Sequence, residues 1–130
     1  MILGFRTDST VAEFYLCDSA GVRIAEEHWQ ADRTLAKNLL SRVEAFLASQ
    51  GSTVKEISGL VVYKGPGSFT GLRIGLCVAN TWAYANHLPI VGETGETWLV
   101  DGLEALKNGR DDTGVLPLYA SEPRITRPKK

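Results

Sequence analysis

The first thirty residues alternate between short apolar runs and groups of turn-forming polar residues. Segments 2–6, 11–17 and 22–29 are rich in aliphatic, aromatic and β-branched side chains, which favours strands. Asp8–Thr10 and Asp18–Gly21 separate these segments with residue types that are typical of turns. We therefore predict three strands joined by two tight connections, which makes an antiparallel meander.

The segment 33–49 has the period of an amphipathic helix. When successive residues are turned by about 100°, its apolar side chains fall on one side and its polar side chains on the other. The apolar set is Leu35, Ala36, Leu39, Leu40, Val43, Phe46 and Leu47. Asp32 is a candidate N-cap and Gly51 a candidate terminator. We expect most of this face in the core, although the stripe is long for so small a sheet.

Strands and helices alternate through the rest of the chain. Residues 57–63 are almost continuously apolar, as a buried strand requires, and a helix is predicted over 70–86. A strand at 89–92, a helix over 93–107 and a last strand at 115–119 complete the pattern. The order βββαβαβα plus a terminal strand predicts a mixed sheet with helices on both faces. One half of an actin-like or Hsp70-like ATPase has this order, and so do other folds.

A glycine-rich loop, Gly65–Gly71, joins the buried strand to the second helix. Backbone N–H groups at a helix start can hold phosphate. However, no Gly-Lys-Ser/Thr triplet follows, so the loop is not a Walker A motif, and Pro66 and Phe69 break the dinucleotide-binding spacing. The alternative is structural, with Ser68 or Thr70 capping the helix. The loop alone leaves both interpretations open.

Small residues recur every four positions along the second helix. They are Gly71, Gly75, Ala79 and Ala83, with Ile74, Val78 and Trp82 on the neighbouring ridge. Each glycine in a helix costs about 1 kcal/mol relative to alanine, so a closely packed neighbour is expected to offset the cost. That neighbour is either the helix's own sheet or another helix, including one from another chain.

Composition narrows the function classes. Fourteen Lys and Arg against fifteen Asp and Glu give a net charge of −1, so there is no overall basic field for nucleic acid. Residues 120–130 are locally basic, and they predict either a solvated end or a docking or RNA-contacting tail.

No apolar run reaches the ~20 residues of a membrane span, and no signal peptide is indicated. We expect a cytoplasmic protein without a membrane partner.

The two cysteines, Cys17 and Cys77, both stand among apolar residues. This setting predicts buried, reduced thiols. No Cys-x-x-Cys pair or Cys/His cluster has the spacing of a zinc site, so no metal is expected.

The stretch 64–75 closely resembles the GPGSFTGLRIG signature of the TsaB family, also called YeaZ. The matching loop residues are Gly65, Pro66, Gly67, Ser68, Phe69, Thr70 and Arg73. The resemblance covers residues 1 to about 107, and it resumes over 117–130, which is similar to the closing segment of the family. It implies an α/β fold, a single actin-like/Hsp70-like (ASKHA, RNase H-like) lobe.

The resemblance also implies a function. TsaB-like proteins take part in making threonylcarbamoyladenosine on tRNA beside the anticodon, as a non-catalytic partner of the TsaD-like subunit that transfers the threonylcarbamoyl group. A small TsaE-like ATPase joins them, and tRNA is met through the complex. Neither a cofactor nor a metal is expected on this chain.

In such proteins the helices that match 33–49 and 70–86 form a bundle with TsaD, or with a second copy when TsaD is absent. The expected interface residues are Leu35, Leu39, Val43, Phe46, Gly71, Ile74, Gly75, Val78, Ala79 and Trp82.

Two departures from the family pattern change what is expected. Arg6 stands where members commonly carry an acidic residue, and a cation cannot ligate magnesium; Asp8 should not reach the same spot. Nucleotide hydrolysis is therefore less expected still. Only a short stretch separates the third predicted helix from the closing segment, so we expect the second lobe to be missing or reduced to a strand, with a truncated lobe over 1–119 and a basic tail over 120–130.

The missing lobe should expose surface that other members cover. The expected exposed residues are Leu99, Leu103 and Val115, to be covered by dimerisation or by a partner.

Two other function classes remain. The glycine loop alone would support a stand-alone ATP-binding or peptidase-like enzyme of the same fold. A homodimeric protein with a separate role, such as cleaving or regulating another protein, is the third hypothesis.

Overall fold

The structure is a computed structural model that describes residues 1–118, without the side chains of Asp32 and Phe69. Its strands are β1 (Ile2–Arg6), β2 (Val11–Cys17), β3 (Arg23–Gln30), β4 (Gly59–Tyr63) and β5 (Ile90–Glu93). Its α-helices are α1 (Leu35–Ser49), α2 (Phe69–Asn86) and α3 (Trp98–Lys107). The predicted order βββαβαβα is confirmed. Two short 3-10 turns, Asp32–Thr34 and Val54–Glu56, were not predicted.

The five strands form one mixed sheet in the order β3-β2-β1-β4-β5. Strands β1, β2 and β3 pair antiparallel, which confirms the meander, whereas β4 pairs parallel to both β1 and β5. Gly21 closes the β2–β3 connection with a φ of +90°. The Asp18 carboxylate accepts hydrogen bonds from the N–H groups of Ala20 and Val22 in the same turn.

Helices cover both faces of this sheet, because successive strand residues point to opposite sides. Leu60 and Val62 of β4 pack with α1 and α2, whereas Val61 and Tyr63 pack with Trp98 of α3. The predicted two-sided arrangement is confirmed, and the larger core lies under α1 and α2.

The helix ends differ in detail from the prediction. The residue before α1 is Thr34, which follows the 3-10 turn, so the predicted N-cap position at Asp32 lies three residues before the helix starts. Gly51 follows α1 with a φ of +73°, as expected of a terminator. Ser68 occupies the N-cap of α2 but makes no side-chain capping bond. The N-cap position predicted at Ser68 is therefore correct, but the expected side-chain bond is not formed there.

The predicted last strand is wrong over 115–118, where the backbone is irregular. Val115 is instead held by Asn80, whose amide side chain bonds both the N–H and the carbonyl of Val115. The Leu118 N–H donates to the carbonyl of Lys64 at 2.7 Å. Tyr119 and the basic segment 120–130 lie outside the described residues.

Three expectations about burial are corrected. Leu99 and Val115 were expected at the surface but are 5% and 4% exposed, because Leu99 packs among the residues under α3 and Val115 joins the main core. Leu103 is partly buried against the same α3 cluster. Cys17 is buried as predicted, but Cys77 is exposed, since it lies on the outer side of α2.

Candidate functional site

The glycine loop between β4 and α2 has a backbone that requires glycine at its first position. Gly65 has a φ of +128°, and a Cβ there would lie 2.0 Å from the Leu118 carbonyl oxygen. The Gly65–Pro66 peptide bond is cis, and the Tyr63 hydroxyl donates to the Pro66 carbonyl at 2.7 Å. The loop is thus tied to its own strand and to residue 118.

The same loop packs directly on the end of β1. The Ser68 N–H donates to the Asp8 carbonyl at 3.0 Å, and a Cβ on Gly67 would lie 2.4 Å from the Asp8 Cβ. The Asp8 side chain thus lies against Gly67 so closely that a side chain at position 67 would not fit. The signature residues Gly67 and Ser68 therefore form a contact within the chain.

The small-residue stripe of α2 is also explained by a close contact, which it makes with the chain at the end of β1. A Cβ on Gly71 would lie 2.1 Å from the Thr7 carbonyl oxygen, and one on Gly75 would lie 2.1 Å from the Thr7 Oγ1. The Thr7 hydroxyl donates to the Gly71 carbonyl at 2.8 Å. The neighbour that fills these two positions is therefore Thr7 of the same chain, directly after β1, and Ala79 is fully buried in the core as well.

Arg6 and Asp8 form a two-pronged ion pair beside the loop. The Arg6 Nε lies 2.7 Å from the Asp8 Oδ1, and its Nη2 lies 3.0 Å from Oδ2. The guanidinium also lies 3.8 Å from the centre of the Tyr63 ring. The hydrogen bond to Asp8 raises the pKa of Arg6, and burial raises the pKa of Tyr63. The carboxylate nearest the loop is therefore neutralised from within the chain.

An apolar groove runs between α1 and α2 on the side away from the sheet. One section, of about 390 Å³, is lined by Leu40, Glu44, Val54, Cys77, Val78, Thr81, Trp82, Ala85 and Asn86. A second section, of about 440 Å³, shares Cys77 and Val78 and extends to Ala36, Thr70, Arg73 and Ile74. Leu40 is 50% exposed in this groove. We refer to these two sections as the α1–α2 groove.

The α1–α2 groove continues towards the glycine loop. A third section of about 310 Å³ adjoins Thr70 and Ile74 and adds hydroxyl groups and one guanidinium, from Ser9, Thr10, Ser68 and Arg33. The groove is therefore apolar over most of its length and polar at the end nearest the signature loop.

The predicted interface residues divide into three groups in the structure. Six of them have buried side chains that pack in the core of this chain: Leu35, Leu39, Val43, Phe46, Ala79 and Trp82, the last of which borders the groove at 9% exposed. Gly71 and Gly75 face Thr7, as described above. Only Ile74 and Val78 are half-buried and line the groove.

Several groove residues were missed by sequence reasoning. Ala36, Cys77, Thr81 and Ala85 line the groove without having been proposed for it, and Leu40 was placed only on the apolar face of α1. The signal was available in part, because Leu40 lies at the edge of that face. The signature residues are placed together in the loop, with Arg73 one turn into α2 and lining the groove.

Neither a membrane-spanning helix nor a metal-binding cluster is found among residues 1–118. No helix in that range is both long and apolar enough to cross a membrane. In the same described part of the chain, no group of three or more His, Cys, Asp or Glu side chains could hold a metal ion.

Comparison with known proteins gives a consistent family. The family model described as TsaD, tRNA N6-adenosine threonylcarbamoyltransferase, matches residues 29–100. The tRNA threonylcarbamoyladenosine biosynthesis protein TsaB of Bacillus subtilis (strain 168) is 32% identical over 118 residues, which is 88% of this chain and 42% of that protein. The TsaB protein of Escherichia coli (strain K12) is 36% identical over 86 residues, 65% of this chain and 31% of that protein.

A solved structure shares the fold. The YeaZ protein from Pseudomonas aeruginosa superposes with a TM-score of 0.64 at 25% identity, over 72% of this chain and 43% of that one. The chain thus spans less than half the length of each of these relatives. The actin-like, ASKHA-type α/β fold implied by the sequence is confirmed.

Proposed function

Because this chain belongs to the TsaB (YeaZ) family, we propose that it acts in the threonylcarbamoyladenosine modification of tRNA beside the anticodon. Its role is that of a partner subunit which scaffolds and activates a TsaD-like enzyme, and the TsaD-like subunit performs the transfer. The names of the relatives support the pathway. The proposed role as a partner subunit is supported by the α1–α2 groove on the surface of this chain.

The α1–α2 groove carries the proposal. It places half-exposed Leu40, exposed Cys77 and partly buried Ile74 and Val78 on one continuous apolar surface. Surfaces of this kind, apolar in the centre and polar at the rim, mark protein–protein contacts. Glu44 and Arg73 supply opposite charges along the rim. The proposed interface therefore keeps the two predicted helices but uses their outer residues.

The Arg6–Asp8 pair argues against independent nucleotide chemistry. A phosphate-bound magnesium ion needs oxygen ligands, and the carboxylate beside the loop is already bonded twice to Arg6. The stand-alone ATP-binding or peptidase-like enzyme thus has only the glycine loop in its favour, and that loop is packed against Asp8.

The remaining partners follow from the same role. A TsaE-like ATPase joins the complex, tRNA is met through the complex, and the chain works in the cytoplasm. A second copy occupies the α1–α2 groove when no TsaD-like subunit is present, because the apolar surface would otherwise stay in water. No cofactor is assigned to this chain.

Reconstitution tests the function. A TsaD-like enzyme, a TsaE-like ATPase, substrate tRNA and the threonylcarbamoyl donor are assayed for modified adenosine with and without this chain. We expect modification to depend on the chain, and the chain alone to hydrolyse neither ATP nor a peptide. Equal modification in its absence would contradict the proposed role, and activity of the isolated chain would favour the enzyme alternative.

A further inference from the structure

Strand β5 lies at one edge of the sheet, where an unpaired backbone would invite another strand. The carbonyls of Pro89 and Glu93 accept hydrogen bonds from Leu60 and Lys64 on the β4 side. The alternate residues, Ile90 and Gly92, therefore direct their N–H and carbonyl groups away from the sheet. These four groups are the ones that an added strand would use.

All four outward groups are bonded by the segment Arg110–Asp112. The Ile90 N–H donates to the Asp111 carboxylate at 3.1 Å, and the Ile90 carbonyl accepts from the Asp112 N–H at 2.8 Å. The Gly92 N–H donates to the Asp112 carboxylate at 2.9 Å, and the Gly92 carbonyl accepts from the Arg110 Nη2 at 3.0 Å. Three side chains and one backbone group thus replace a strand.

The segment is held in place by its own charges. The Arg110 guanidinium bonds both oxygens of Asp112, at 2.8 and 2.9 Å, and also bonds Glu93. These bonds keep the pKa of Asp112 below its ordinary range. Thr113 turns the chain with a φ of +56°, and its N–H donates to the Asp111 carboxylate at 2.9 Å. The charged side chains of Arg110, Asp111 and Asp112 are therefore held in place by hydrogen bonds to one another, to Thr113 and to β5.

The opposite edge of the sheet is protected by a different means. The exposed side of β3 carries Arg23, Glu26 and His28. Arg23 forms an ion pair with Glu26, and the His28 Nε2 lies 3.1 Å from the Glu26 Oε2. Charged side chains on an edge strand discourage pairing. In contrast, Ile90, Val91 and Gly92 of β5 are all buried and carry no charge, and β4 beside them is buried throughout. An uncovered β5 edge would present a strand that is apolar except for Glu93.

We propose that Arg110–Asp112 is a strap that occupies the outer edge of β5 and prevents a second copy of the chain from adding a strand there. The strap is independent of the proposed role in tRNA modification and of the α1–α2 groove. Its loss would open an edge-to-edge association that is distinct from the helix-mediated one.

Hydrogen exchange and sedimentation of the full chain test the strap. Asp112→Ala removes the acceptor for Gly92 and the partner of Arg110. Asp101→Ala, which removes an aspartate of α3 whose carboxylate accepts from the Thr97 hydroxyl, is the matched control. In Asp112→Ala we expect the Gly92 amide to exchange at least about ten-fold faster, with the Val62 amide of β4 unchanged. We also expect species larger than those of the wild type, which grow with concentration. The Asp101→Ala variant should match the wild type.

Adding Leu40→Glu to Asp112→Ala separates association through the β5 edge from association through the α1–α2 groove. The larger species should persist when Leu40→Glu is added, because the groove is then blocked and the β5 edge is not. Unchanged exchange at Gly92 in Asp112→Ala would overturn the proposal. Faster exchange without new species would overturn it as well, since the strap would then only stabilise its own strand. If Asp112→Ala does not fold, Arg110→Ala, which removes both the donor to the Gly92 carbonyl and the partner that holds the Asp112 carboxylate, is held to the same outcomes.

Discussion

Thr7 and Gly75 are in contact so close that a Cβ on Gly75 would lie 2.1 Å from the Thr7 hydroxyl oxygen. Thr7 is 3% exposed, so it has little room to move away. The contact fixes α2 on the end of β1, and it places the outer side of α2, with Cys77 and Val78, along the α1–α2 groove. The glycine is therefore needed for packing within the chain.

Gly75→Ala should destabilise the protein by roughly 1–3 kcal/mol, because overpacking at Thr7 outweighs the better helix propensity of alanine. Thr7→Ala combined with Gly75→Ala should be more stable than the two single changes add up to, since the clash is relieved. Gly114→Ala, where an added Cβ meets nothing within 4 Å, is the control. Urea unfolding measures all four variants, and strict additivity would contradict the contact.

The wild-type chain should show no magnesium-dependent ATP binding tighter than about 10 µM by calorimetry. The physical reason is that Arg6 holds the Asp8 carboxylate at 2.7 Å. Arg6→Ala frees that carboxylate and should increase the heat of magnesium binding. Arg42→Ala, which removes an arginine stacked on Trp29, is the control and should leave it unchanged. Tight wild-type binding that EDTA abolishes would refute this expectation.

Stability should depend on Asp112 in a pH-dependent way. Its pKa lies below the ordinary value of 3.8, chiefly because Arg110 bonds the charged form. A lowered folded-state pKa stabilises the fold fully above the unfolded-state value, and the stabilisation is lost as pH falls through the folded-state pKa. Asp112→Asn should therefore cost on the order of 1 kcal/mol at pH 7 and progressively less below pH ~4. Denaturant titrations at pH 7, 5 and 3 measure this difference, and a constant gap would be inconsistent with it.

Cys77 should report self-association through the groove. It is exposed and lines both sections of the α1–α2 groove, whereas Cys17 is buried. If a second copy covers the groove, alkylation of Cys77 by a maleimide should slow as protein concentration rises. Cys17 should react slowly at every concentration. A Cys77 rate that is independent of concentration up to about 100 µM would speak against a groove-mediated dimer.

The sequence predicted the elements well because their signals are local. The apolar period of 33–49 and the glycine loop before α2 depend only on neighbouring residues, and both elements are present. The packing partners of each side chain, in contrast, are residues that are distant in the sequence. Nothing near Gly75 in the chain identifies Thr7 as its neighbour, so the stripe could not be assigned to sheet or partner.

The same limit explains the errors in burial. Cys77 stands among apolar residues in the sequence but faces outwards from α2, and Leu99 is buried by the other face of the sheet. The four apolar α1 positions assigned to a partner are the ones that point to the core. Periodicity identifies an apolar face, but only the packed structure shows which residues at its edge remain exposed.

The affinity of the chain for a TsaD-like subunit tests the central claim most directly. Leu40→Glu places a charge in the α1–α2 groove, and Val100→Glu places the same charge on an equally accessible apolar position of α3; the wild-type residues are 50% and 64% exposed. Calorimetric titration should show Leu40→Glu binding at least about ten-fold more weakly, because the carboxylate would be buried without a partner. Val100→Glu should bind like the wild type. Equal affinity for all three proteins, or a loss confined to Val100→Glu, would contradict the claim that this groove receives the partner.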